Sequence, residues 1–276
     1  MIEIITEIGW NHMGNMSLAK QMIKAAKDNG ADYAKFQTWS VKRLKTGEWD
    51  TDGRREIYEK AELSYTNHEM LKNYCDEIGI HFLSSVFSLK DAKLYNKVQP
   101  KFVKIPSFES RNRELISYCR DNFETVFIST GTSTFDEISQ TIDLFPLNIR
   151  SNRLVLLHCV SAYPLNPEDA NIKRLNCLRA RFGLIDDHTR FGYSDHMEGV
   201  ESAKVAIELG VKVIEKHFTI DKNLPGRDNR FACLPEDIKN LRDYIILREK
   251  MLSKMEKDFL EIEKNSRENY TGRFNK

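Results

Sequence analysis

Short runs rich in β-branched and aromatic residues recur roughly every 25 to 30 positions along the chain, and between them the apolar residues fall at helical spacing. Eight runs stand out as strands: IEIITEIG from Ile2, YAKFQTW from Tyr33, HFLSSVF from His81, FVKIPS from Phe102, TVFIST from Thr125, RLVLLHC from Arg153, FGYSDH from Phe191 and VKVIEKHFT from Val211. In SLAKQMIKAAKDNGA, Leu18, Met22, Ile23 and Ala26 share one helical face, with Ser17 as the expected N-cap and Gly30 as the closing glycine. GVESAKVAIELGV repeats the grammar, and Gly210 ends that helix before the last strand. One strand–helix unit repeated in this way predicts an α/β fold, a (β/α)8 TIM barrel, with a doubly wound open sheet as the competitor.

Polar residues favour the barrel. Side chains with chemistry to offer sit at the C-terminal ends of nearly all the runs: Glu7, Asn11 and His12; Lys35 and Gln37; Ser84 and Ser85; Lys104 and Ser107; Ser129 and Thr130; His158 and Ser161; Ser194, Asp195 and His196; Glu215, Lys216 and His217. A barrel gathers those ends at one mouth, whereas an open sheet spreads them along an edge. The longest connection, from Val41 to about Tyr65, is dense in charge and is read as a partial lid over that mouth, with a solvated irregular excursion as the equal alternative. Residues 1–252 are taken as the barrel domain, and 253–276 as a charged amphipathic helix and polar tail.

Charge narrows the function. The 42 basic and 41 acidic side chains nearly cancel, so neither nucleic acid nor a membrane surface is an expected partner, and small molecules are. The start, MIEIITEIGW, has neither a basic segment nor a long apolar one, which is read as cytoplasmic. Five scattered cysteines without a CxxC pair suit reduced, buried thiols.

Of the 7 histidines, His196 and His217 end consecutive late strands, where two neutral imidazoles at one depth can share a divalent metal and leave positions open for water and substrate. Glu7, on the strand that closes against the last one, is a third ligand or a general base. Lys35 and Lys104 follow apolar strand residues; a lysine directed into a barrel is costly unless an anion compensates it, either a phosphorylated, carboxylated substrate or a carboxylate such as Glu109 or Glu215. Hydroxyls from Ser85, Ser107, Ser129 and Ser194 can serve the same anion. STGTSTFDEI has the form of a phosphate loop leading into a helix, though it is also ordinary strand-to-helix punctuation. No P-loop or GxGxxG points to a nucleotide.

From EIGWNHMGNMSLAKQMIKAAKDNGADYAKFQTW through FLSSVF, KIPSFE, STGTS, LLHCVSAYP and GYSDHMEGVE to VIEKHFTIDKNLPGRD, the chain resembles the sialic acid synthase family, which includes the N-acetylneuraminate, legionaminate and pseudaminate synthases. The resemblance runs from about Ile2 to Pro235. It implies a synthase that condenses phosphoenolpyruvate with an N-acyl hexosamine-type aldose, similar to N-acetylmannosamine, giving a nonulosonic 2-keto-3-deoxy acid and phosphate. It assigns a divalent metal, manganese with magnesium or cobalt as substitutes, to His196 and His217, and the catalytic carboxylate to Glu7. Lys35, Ser85, Lys104, Ser107, Ser129, Ser161 and Ser194 would surround phosphoenolpyruvate, while Gln37, Glu109, Tyr163 and Asp228 would face the acceptor sugar.

Members of that family commonly carry a further C-terminal antifreeze-like domain that sets an arginine over the partner subunit's site; the resemblance covers the barrel alone. A homodimer is compatible with it. Val86, Phe108 and Asn229 depart from the usual pattern and put the acceptor, more than phosphoenolpyruvate, in question. Two alternatives stay open: a synthase acting on a phosphorylated aldose, for which Arg54, Arg55 and Arg227 are the available basic cluster, and a barrel that binds sugar or phosphoenolpyruvate without turnover.

Overall fold

The computed structural model describes residues 2–183 and 190–274. Strands and helices alternate as β1 (Glu3–Gly9), α1 (Met16–Asp28), β2 (Tyr33–Thr38), α2 (Arg54–Ala61), α3 (Tyr65–Ile78), β3 (His81–Val86), α4 (Leu89–Asn96), β4 (Phe102–Ile105), α5 (Arg113–Asn122), β5 (Thr125–Ser129), α6 (Phe135–Ile142), α7 (Leu147–Arg153), β6 (Leu154–Cys159), α8 (Arg174–Leu178), β7 (Arg190–Asp195), α9 (Glu201–Glu208), β8 (Val213–His217), α10 (Pro235–Met251) and α11 (Lys264–Asn269). Each strand pairs in parallel with the next, and β1 also pairs with β8, so the sheet closes into a (β/α)8 barrel and leaves no open edge.

Both faces of the sheet are buried, which is why the strands read as nearly continuous apolar runs rather than alternating ones. Outward residues such as Ile4, Ala34, Phe36 and Phe82 pack with Met22, Ile23 and Leu71 of the helices. Inward, Ile5, Tyr33, Leu83, Phe127, Val155, Leu157 and Val213 fill the lower half of the barrel. Gly192 belongs to this packing by having no side chain: a Cβ there would lie 2.2 Å from Leu157 Cδ2 and 2.6 Å from the Val213 carbonyl oxygen.

Three local expectations are corrected. The N-cap of α1 is Asn15, not Ser17: the chain turns tightly after β1, the helix starts at Met16, and Asn15 Oδ1 accepts the Leu18 N–H at 3.1 Å. The long connection after β2 is not irregular throughout, because it carries α2, and that helix packs on the β1–α1 turn closely enough that a Cβ on Gly14 would meet the Lys60 carbonyl oxygen at 2.1 Å. The last barrel helix stops at Met251 instead of continuing through the tail, and only the short α11 follows. Beyond Met251 the described residues are exposed, so no apolar face is covered to sustain a long helix. Gly30 and Gly210 do end their helices, with φ of +90° and +88°. Among the described residues no helix is long and apolar enough to cross a membrane. All five cysteines are free.

Candidate active site

Side chains alternate along a strand, so the interior repeats every second residue. Two positions beyond the apolar lower layer, the same strands offer Glu7 after Ile5, Lys35 after Tyr33, Ser85 after Leu83, Lys104 after Phe102, Ser129 after Phe127, Ser194 after Gly192 and Glu215 after Val213. The intervening polar residues go the other way. Ser84 Oγ lies 2.7 Å from Thr38 Oγ1, beside His68; His158 stacks on Tyr193 with Nε2 3.2 Å from the Ala170 carbonyl; Lys216 pairs with Asp195 at 2.9 Å. The expectation that Ser84, His158, Asp195 and Lys216 reach the mouth is therefore corrected: each sits one residue out of phase, behind the sheet.

The upper layer is a closed electrostatic chain. Lys35 Nζ lies 2.5 Å from Glu7 Oε2 and 3.7 Å from Glu215, and donates to Ser85 Oγ at 2.9 Å. Lys104 donates to both oxygens of Glu215 at 2.9 and 2.8 Å, Ser194 Oγ donates to the same carboxylate at 2.8 Å, and Gln37 Nε2 donates to Glu7 at 2.5 Å. Two buried ammoniums are thus balanced by two buried carboxylates within the protein. Glu215 is the member that sequence reasoning takes only as a salt-bridge partner. Its signal is its offset, two positions before His217 on one strand and opposite Ser194 on the next.

Burial raises the Glu7 carboxyl above its ordinary value even with Lys35 beside it. At Glu215 burial is opposed and outweighed by Lys104 and Lys35, which hold it well below the usual carboxylate range. Burial lowers Lys104, whereas Glu215 and Glu7 overcome burial at Lys35 and raise it. Of the two carboxylates, Glu7 is the one placed to exchange a proton.

His196 and His217 stand with ring centroids 5.5 Å apart. His196 Nδ1 is 2.7 Å from the Val160 carbonyl oxygen, a contact that puts the proton on Nδ1 and leaves Nε2 free as a ligand. Burial, then the positive neighbours His196 and Lys35, push His217 well below its ordinary value, so it is a neutral imidazole, and its buried Nδ1 has no hydrogen-bond partner within the protein. Two adjoining imidazoles, one with Nδ1 held by a backbone carbonyl and the other with Nδ1 unpartnered in the protein, offer nitrogens to a divalent ion with open positions. Among the described residues no set of three or more His, Cys, Asp or Glu side chains that could hold a metal ion is found, and Glu7 contacts Lys35 and Gln37.

Around this core the hydroxyls of Ser129 and Ser161 are shut from solvent without a partner in the protein. A Cβ at Gly131 would meet Ser107 Oγ at 2.7 Å and Ser161 Oγ at 2.8 Å, so the bare glycine lets two hydroxyls close on one small space. The STGTS segment is followed by Thr134, which caps α6 in a reciprocal box with Glu137. The start of that helix is satisfied by its own side chains.

On the rim, Tyr163 lies over the imidazoles, 4.1 Å from the His196 ring and 5.9 Å from that of His217. Asp228 Oδ2 is 3.4 Å from His217 Nδ1, and burial raises its carboxyl to about 7. Glu109 stands apart from the cluster and accepts from Asn112 at 2.8 Å. Phe108 is exposed and stacks on Phe87, Asn229 is buried and bonds the Pro225 carbonyl, and Val86 is buried in the core between strands and helices, away from the mouth.

Known proteins bear on this arrangement. The chain is 36% identical to the N,N'-diacetyllegionaminic acid synthase of Legionella pneumophila over 92% of its own length and 74% of that protein. It is 32% identical to a pseudaminic acid synthase of Campylobacter jejuni over 88% of its length and 72% of the relative. Its fold superposes on the crystal structure of the N-acetylneuraminic acid synthetase of Leptospira borgpetersenii with a TM-score of 0.83 at 27% identity, covering 100% of this chain and 93% of that one. Residues 22–257 match the NeuB family. The chain belongs to the NeuB family.

Proposed function

We propose that the chain is a synthase that condenses phosphoenolpyruvate with an unphosphorylated N-acyl hexosamine-type aldose, giving a nonulosonic 2-keto-3-deoxy acid and phosphate. The observation that carries this reading is the buried polar layer itself: two ammoniums, five inward or converging serine hydroxyls and a carboxyl of raised pKa at one barrel mouth, beside two adjoining imidazoles. Support for the sugar class comes from the names of three relatives, an N,N'-diacetyllegionaminic acid synthase, a pseudaminic acid synthase and an N-acetylneuraminic acid synthetase.

Lys35 and Lys104 bind the phosphate and carboxylate of phosphoenolpyruvate, and the free hydroxyls of Ser129 and Ser161, with Ser85, Ser107 and Ser194, orient its oxygens. Carbon 3 of phosphoenolpyruvate bonds to the aldehyde carbon, water adds at carbon 2, and the carbon 2–oxygen bond to phosphate breaks. Glu7 takes the proton of the attacking water and passes it to the aldehyde oxygen, which becomes the new hydroxyl, while the carbon 2 hydroxyl gives its proton to the departing phosphate as the carbonyl forms. The lysines stabilise charge as it moves onto the departing phosphate. A divalent metal, manganese or in its place magnesium or cobalt, would be held by His196 and His217 and supplies Lewis acidity toward the aldehyde oxygen. Tyr163, Gln37, Asp228 and, from the rim, Glu109 position the acceptor.

The basic cluster that a phosphorylated aldose would need is already paired: Arg54 with Asp52 at 2.6 Å, Arg55 with Asp50 at 2.6 Å and Glu59 at 3.2 Å, and Arg227 with Asp52 at 3.4 Å. The test is phosphate release from phosphoenolpyruvate with a panel of free and phosphorylated N-acyl hexosamines, with chelator and with manganese restored. Release with a free sugar, abolished by chelator, is expected. Preference for a phosphorylated sugar corrects the acceptor, and no release with any aldose or metal leaves a binding barrel.

A further inference from the structure

Behind the two imidazoles lies a charge pair that the chemistry above does not use. Asp195 and Lys216 are each 1% exposed, are direct register partners on β7 and β8, and immediately precede His196 and His217 in the chain. Lys216 Nζ donates to Asp195 Oδ2 at 2.9 Å and to the Met197 carbonyl at 2.5 Å, while Asp195 Oδ1 accepts the Met197 N–H at 3.0 Å. Ser202, in α9, donates to Asp195 Oδ2 at 2.5 Å. The residues on both sides of His196 are therefore pinned to the residue that precedes His217. From the other side the His217 carbonyl accepts the Cys233 N–H at 2.8 Å.

A buried ion pair is weak evidence for stability, since apolar residues of like size would pack there at no greater cost. Its position points to another role. β7 ends at Asp195 and β8 at His217, and a side chain one residue past a cross-strand clamp inherits the spacing that the clamp sets. We propose that Asp195 and Lys216 are positioning residues that fix the separation and orientation of His196 and His217 for divalent-metal binding. The inference rests on the metal reading given above.

The test compares Mn2+ binding, followed by the electron paramagnetic resonance signal of the free ion, in the wild type, His217→Ala, Asp195→Leu/Lys216→Met and Arg242→Met. Arg242 is the control: it clamps the opposite end of the barrel through Asp32 and the Ile2 and Gly30 carbonyls, far from the imidazoles along the strands. The double variant is expected to stay folded and to bind Mn2+ roughly 10- to 100-fold more weakly, while Arg242→Met loses thermal stability with unchanged Mn2+ affinity. Unchanged affinity in the folded double variant overturns the proposal, and so does an equal loss in the Arg242 control, which would mark general destabilisation. If the double variant does not fold, Ser202→Ala loosens Asp195 without removing a charge; a weakening of at least about threefold supports the clamp, and a smaller change rejects it. Wild type and His217→Ala binding alike would instead defeat the metal reading and leave the clamp with nothing to position.

Discussion

The lower and upper layers of the barrel interior are two residues apart on the same strands and differ in almost everything else. The lower layer, from Ile5 round to Val213, is apolar and fully packed, with Gly192 trimmed to let it close. In the upper layer Glu7, Lys35, Lys104 and Glu215 balance one another, and the hydroxyls of Ser129 and Ser161 and the Nδ1 of His217 are left without partners in the protein. A protein selected for stability alone would repeat the lower layer upward, because unpartnered buried polar atoms each cost about 1–3 kcal/mol. The contrast teaches that the fold is held from below and that its chemistry is stationed where the packing stops.

The largest expected effects divide the layers. Lys104→Met should lower turnover by about 10³-fold, since it removes an ammonium aimed at the departing charge. It also leaves Glu215 short of its main partner, and adding Glu215→Leu should restore stability and not activity. Phe127→Ala, in the lower layer, should cost about 3–5 kcal/mol in urea unfolding while kcat/KM of the folded protein stays within a few-fold. Recovery of turnover by the Lys104/Glu215 double variant, or loss of turnover with Phe127→Ala at full folding, would dissolve the distinction.

A smaller effect belongs to the shell behind the upper layer. Burial lowers His12 and His158 to about 4 from an ordinary 6.5. Between those values the unfolded chain holds the proton and the folded one does not, so stability falls as pH drops from 6.5 toward 4 and changes little below. Each histidine contributes on the order of 3 kcal/mol at most. Urea unfolding at stepped pH should show that slope, and His158→Gln should make it shallower. An unchanged slope would mean that this shell titrates as if it were solvated.

Much of the fold is legible in the amino-acid sequence alone. All eight strands begin within two residues of the runs read from the pattern, because a strand buried on both faces advertises itself as an apolar run. The phase of the polar residues at the strand ends is harder to read. Ser84 and Ser85, or Lys216 and His217, look equally available in the sequence, and only the two-residue period counted from a known inward residue such as Val213 separates them. Glu215 escapes a linear reading for a similar reason: its role as counter-charge depends on Lys104, which is 111 positions away in the chain.

The rim of the upper layer must draw its stability from local chemistry, and α1 gives the smallest test of that. Asn15 Oδ1 satisfies the Leu18 N–H, so Asn15→Ala should cost about 1 kcal/mol. Ser17 lies inside the first turn without a capping bond of its own, and Ser17→Ala should stay within about 0.5 kcal/mol of wild type or gain slightly from alanine's helix propensity. Paired denaturation curves decide it. If Ser17→Ala is the costlier change, the helix starts later than Met16 and the turn after β1 is looser than described. That would matter beyond stability, since the same turn carries Asn11, whose Nδ2 donates to the Phe218 carbonyl at 2.9 Å and ties the end of β1 to the residue after His217.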